Sequence, residues 1–119
     1  MQDFRSLKVW GKAHTATLAV YRATETFPAA ERYGLTSQMR RAAASVAANI
    51  AEGCGRGSDA DFARFLHMAL GSASELEYFL LLARDLQFMS QSPHDDILAT
   101  TQEVTRMLSA LITRLKSDS

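Results

Sequence analysis

A chain of 119 residues with 47% hydrophobic and 22% charged residues has the length of one domain, large enough to bury about 65% of the surface its unfolded form exposes. Thirteen Lys/Arg balance thirteen Asp/Glu, which removes the overall basic charge expected of a dedicated nucleic-acid binder. A single cysteine, Cys54, excludes an internal disulfide and the thiolate cluster of a structural zinc site, and points to the cytoplasm.

The neutral total hides an asymmetry. Residues 1–41 carry seven basic and three acidic side chains, whereas residues 52–96 carry three basic and eight acidic ones. Such complementary halves favour self-association or leave one basic face. The N-terminal MQDFRSLKVW is interrupted by charge and lacks a secretory apolar core, and no apolar run is long enough to span a bilayer. No membrane role is expected.

Period-two alternation is absent, and the pattern predicts an all-α protein of four helices. The first, over 7–27, places Val9, Ala13, Ala16, Val20, Ala23 and Phe27 on one face, with a second stripe of Trp10, His14, Leu18 and Tyr21 beside it. His14 is expected to take a hydrogen-bonded core or interface position. Pro28 ends this segment. The second helix, over 35–52, turns Leu35, Met39, Ala42, Val46 and Ile50 inward beside Ala43, Ala47 and Ala51. Gly53 then supplies a left-handed stop.

Ser58 followed by Asp59 and Asp61 reads as the cap of a third helix, 58–87, with Phe62, Phe65, Leu66, Ala69, Ala73, Leu76, Leu80 and Ala83 inward. Ser92 and Pro93 read as the N-cap and first residue of a fourth, over 93–116. Four such helices with short connections predict one antiparallel up-down-up-down four-helix bundle.

Catalytic and cofactor chemistry finds little support in the pattern. Di-iron bundles require Glu-x-x-His pairs, and none occurs; His14, His67 and His94 fall on three different helices. No metal or other cofactor is expected. No arginine stands four to six residues ahead of a histidine, as in some helical-bundle ribonucleases. Cys54 sits at a helix C-terminus, where the dipole disfavours a thiolate. The GCGRGS run lacks the lysine of a phosphate loop and follows a helix rather than a strand, so Gly53, Gly55 and Gly57 read as a helix stop and tight turn. Arg40 and Arg56 remain the candidate anion or nucleic-acid contacts.

A polar line on the second helix is more informative. Gln38, Arg41, Ser45, Asn49 and Glu52 recur at three- and four-residue spacing, and Met68, Ser72, Glu75, Phe79 and Leu82 form the matching line on the third. Antiparallel pairing brings Glu75 to the level of Arg41 or Gln38. Three readings stand: a solvated face, a buried polar network within the bundle or between subunits, and RNA contact by Arg40 and Arg41.

F-x-x-L-x-V-W at the N-terminus, VY at 20–21, FP at 27–28, E-x-Y-G-L at 31–35, QMRRAAASVAANIAEGCGR at 38–56 and RFLHMALGSASELE at 64–77 together resemble a bacterial family. Its members are four-helix bundle proteins first met as reading frames inside intervening sequences of large-subunit ribosomal RNA genes, often called ribosomal-protein-like. They are related to the accessory variability determinant of diversity-generating retroelements. The resemblance implies a cytosolic bundle assembling as a ring of five. It assigns structural or assembly roles to Arg41, Asn49, Glu52, Gly53, Arg56, Gly71, Ser72 and Glu75, and no catalytic role to any residue. Cys54 stands where relatives commonly have an aromatic residue, and Ala47 where they have proline. The expectation is a non-enzymatic homo-oligomeric scaffold or adaptor, with Ser45 joining the assembly residues; the alternative is an RNA- or DNA-binding accessory module working through the basic N-terminal third.

Overall fold

The computed structural model describes residues 2–118. Four helices run in order: α1 (Lys8–Ala23), α2 (Leu35–Cys54), α3 (Asp59–Asp85) and α4 (Gln91–Asp118). Helix α1 packs on α2 and α4, and α3 packs on α2 and α4, so α1 and α3 are diagonal across the bundle. The molecule is elongated, 46 Å by 22 Å by 20 Å.

The inward stripes expected from periodicity form the core. One cluster gathers Val9, Ile50, Phe62, Leu66, Val104 and Leu108; the other gathers Val20, Met39, Leu76, Leu80, Ala83 and Ile97. Between them small residues, Ala13, Ala16, Ala43, Ala73 and Thr101, line a small internal cavity where the four helices meet. Burial of each large aliphatic side chain contributes about 1.5–3 kcal/mol against conformational entropy.

Helix ends follow local chemistry, with three departures from expectation. Ser58 caps α3, its hydroxyl accepting from the Asp61 N–H at 3.2 Å, and Asp59 and Asp61 face the positive end of the dipole. The last turn after α1 is a short 3-10 segment, Thr24–Thr26, rather than continuous α-helix to residue 27. Helix α4 begins at Gln91, so Ser92 and Pro93 lie inside its first turn. Proline is tolerated there because the first N–H groups of a helix have no internal acceptor.

The third departure concerns Gly53. It is helical within α2, which continues to Cys54 before Gly55 closes it with φ −83°. A β-carbon on Gly53 would lie 2.8 Å from Phe62 Cδ1 and 3.0 Å from Phe65 Cβ. Glycine is required here by close packing of α3 on α2 and not by a left-handed turn. The left-handed residue is Gln87, with φ 62°. It completes α3 through Gln87 N–H to Arg84 O and Phe88 N–H to Ala83 O, both 2.9 Å, the double hydrogen bond that satisfies the last carbonyls of a helix.

Candidate assembly surface on helices α2 and α3

The antiparallel register around the 55–58 turn sets Ser45 opposite Ser72. Their hydroxyls are 2.8 Å apart. Asn49 completes a small polar knot, its amide donating to Ser45 O at 2.9 Å and Ser45 Oγ at 3.0 Å. These three side chains are half-buried. Each hydrogen bond of this neutral kind is worth about 0.5–1.5 kcal/mol net; the Ser45–Ser72 bond ties α3 to α2 in this register, and the two from Asn49 hold the Ser45 side chain from within α2.

The charged members of the polar line lie outside that knot. Arg41, Glu52 and Glu75 are exposed, and Arg41 and Glu75 form no ion pair, although the register brings them to one level. The intramolecular network expected from sequence is therefore confined to Ser45, Asn49 and Ser72. Gly71 lies beside Ser72 on the exposed face of α3, and a β-carbon there would meet nothing within 4 Å. Met68 and Tyr78 are exposed on the same helix. The resulting face combines small, apolar and charged groups.

Arg40 and Arg56 are both occupied. On the opposite side of α2, Arg40 donates from Nε to Thr24 Oγ1 at 2.8 Å and from Nη2 to Tyr21 O at 3.2 Å, with its guanidinium 4.7 Å from the Tyr21 ring centre. It holds the C-terminal end of α1, whose last carbonyls favour a cation. Arg56 lies 3.3 Å from Glu52 and 3.8 Å from Asp61, and 4.6 Å over the Phe65 ring. Two carboxylates thus balance the charge that the sequence offered for an anion. The GCGRGS turn borders an open depression of about 320 Å³ that Asp59 also lines, and its electrostatics do not favour phosphate.

The other candidate groups are dispersed. Cys54 is buried, and burial pushes its thiol pKa up from 9.0. His14, expected at a core or interface position, is exposed within this chain and stacks on Trp10 with ring centres 4.9 Å apart. His94 is buried, its Nδ1 3.0 Å from Asp95 Oδ1. The hydrogen bonds to Asp95 from His94 and Gln91 hold its carboxyl below 3.8. Among the described residues no three His, Cys, Asp or Glu side chains cluster as metal ligands, and no helix is long and apolar enough to cross a membrane. The Ser45–Ser72 contact was recoverable from the two facing polar lines; the packing role of Gly53 was not, because its partners lie nine and twelve residues ahead.

No curated protein matches the chain. Among solved structures, the crystal structure of a protein with unknown function from the S23 ribosomal protein family of Bacteroides thetaiotaomicron is similar, with a TM-score of 0.79 and 25% identity over 87% of this chain and 97% of that one. The family model described as 23S rRNA-intervening sequence protein matches residues 5–110. With its four-helix architecture and nearly full-length match, the chain belongs to the 23S rRNA-intervening sequence protein family.

Proposed function

We propose that the protein is a non-enzymatic, homo-oligomeric scaffold or adaptor, acting in the cytoplasm, whose subunits meet through the α2–α3 face. The resemblance to its family supports five as the number of subunits. The observation that carries this reading is the division of the signature residues. Ser45, Asn49 and Ser72 are satisfied within the chain, while Arg41, Glu52, Gly71 and Glu75 are exposed beside Met68 and Tyr78. A lone bundle gains nothing from a glycine in the open middle of a helix, which costs about 1 kcal/mol relative to alanine. A subunit whose backbone must be approached by another does. A protein partner would then use the remaining faces of the ring.

Arg41→Ala and Glu75→Ala test the reading. Both side chains are exposed and unpaired among the described residues, so the thermal unfolding of the isolated subunit should stay unchanged while association shifts to higher concentration, read by sedimentation. Unchanged association of both variants would remove these residues from the assembly surface.

The basic helix α1, with Lys8, Lys12 and Arg22 and no acidic residue, favours a second reading as a nucleic-acid-binding accessory module. Binding by phosphate neutralisation must weaken steeply between low and physiological salt. RNA or DNA that fails to bind even at low salt leaves the scaffold reading alone.

A further inference from the structure

We infer that the loop joining α1 to α2 carries a binding site for the phosphate group of a small ester, held by Arg32, Thr36 and Arg40. Such a site would serve a single subunit as well as a ring.

An open depression of about 340 Å³ lies between that loop and the first two turns of α2. Thr36 lines it and is only 8% exposed. Threonines deeper in the helices donate to the carbonyl four residues earlier, as Thr17, Thr101 and Thr105 do. Thr36 is the second residue of α2 and has no helical carbonyl behind it. Its hydroxyl has no hydrogen-bond partner among the described residues, and a buried hydroxyl without one is costly. Only Arg56 Nε is both unpartnered and sealed from solvent there, so the Thr36 hydroxyl is reached through the depression that it lines.

Charge favours an anion. Arg32 is exposed and Arg40 half-buried, both line the depression, and neither forms an ion pair among the described residues. Glu25 is the one acid in the lining. At the GCGRGS turn, by contrast, Glu52 and Asp61 flank Arg56. Arg40 is fixed in place by Nε on Thr24 Oγ1 and Nη2 on Tyr21 O. A guanidinium has five N–H donors, so that anchoring leaves Nη1 for a ligand. Glu31, outside the lining, accepts the Leu35 N–H at 3.0 Å, and the N–H groups of Thr36 and Ser37 come next among the helix donors that have no internal acceptor.

These groups select the occupant. Two guanidiniums, a hydroxyl and the start of a helix offer more donors than the two oxygens of a carboxylate can use. A phosphate monoester, with three acceptor oxygens and a charge of about −1.5 to −2 at neutral pH, matches them. The depression also exceeds what the phosphate alone would fill, lying within the range of about 300–1,000 Å³ usual for small-ligand sites. Phe27, Pro28 and Ala29 give it an apolar wall against which the body of the ester rests.

Calorimetric titration of the full chain with phenyl phosphate and with inorganic phosphate tests the site. Phenyl phosphate should bind more tightly than inorganic phosphate. Thr36→Val keeps the shape and removes the hydroxyl; it should weaken phenyl phosphate roughly tenfold without lowering the thermal midpoint, because that hydroxyl bonds to nothing within the chain. Arg32→Gln, at an exposed position, should weaken it comparably, and Arg106→Gln on α4 should bind as the wild type does. No binding of phenyl phosphate, unchanged affinity in both Thr36→Val and Arg32→Gln, or an equal loss in Arg106→Gln would overturn the site. Equal affinities for the two phosphates would overturn the ester and leave free phosphate as the occupant. A short oligouridylate that displaces phenyl phosphate from the wild type would assign the site to a nucleic-acid backbone and overturn the small ligand.

Discussion

Gly53 and Gly71 lie on the two helices of one hairpin, yet their surroundings are opposite. Around Gly53 the chain closes on itself: Phe62 and Phe65 occupy the space a side chain would need, and Arg56 spans Glu52 and Asp61 above the Phe65 ring. Around Gly71 there is open space, flanked by exposed Met68 and Glu75. The same residue type serves internal packing in one place and has no internal function in the other. Both lie within the family signature, so a signature glycine by itself does not separate folding from assembly. The neighbouring atoms do.

Substitutions at the two positions should therefore act in opposite directions. Gly53→Val should have the largest effect, lowering stability by about 1–3 kcal/mol through overpacking, seen as a lower midpoint in urea unfolding of the isolated subunit. A midpoint equal to wild type would mean that α3 can retreat from α2 without loss. Ser72→Val should come next. It removes the hydroxyl facing Ser45 and costs about 1 kcal/mol, and adding Ser45→Ala should cost less than it does alone, since the two share the Ser45–Ser72 contact while Ser45 also accepts from Asn49. Strict additivity would contradict the Ser45–Asn49–Ser72 knot.

Gly71→Ala should stabilise the isolated subunit by up to about 1 kcal/mol and weaken association, a pairing of signs that Gly53 cannot show. Loss of subunit stability would mean that the open space at Gly71 is not real. The smallest effect belongs to Gln87→Gly at the end of α3, far from both glycines. Relief of its positive φ should raise stability by about 0.5–1 kcal/mol without touching association, which sets the scale for a purely local change.

How much of this was readable in advance depends on the range of the interaction. Helix faces were legible because burial repeats every 3.6 residues, so Val9, Met39, Ile50, Leu66, Leu80 and Leu108 fall inward as their spacing requires. The Ser58 cap was legible because it involves atoms three residues apart. Gly53 was misread because glycine near a helix end has a common local explanation, whereas its actual constraint crosses from α2 to α3. The start of α4 was misread for a related reason: Ser-Pro favours the N-cap and first position, but three unsatisfied donors leave proline room deeper in the first turn. At the candidate surface, periodicity placed Arg41 and Glu75 on facing lines and the register agreed. It did not distinguish side chains that point into the seam, like Ser45 and Ser72, from those that point away. The stripe of Trp10, His14, Leu18 and Tyr21 was visible in sequence as a second face of α1, and only the packing of that helix shows that Trp10 lies against the core while His14, Leu18 and Tyr21 are left exposed.

The central claim is that this chain is built to assemble with itself, and the subunit mass in solution tests it most directly. Native mass spectrometry of the wild-type protein should give one discrete closed species at about five times the 13.1 kDa of the chain, as a ring requires. A species at the mass of a single chain at every concentration would contradict it.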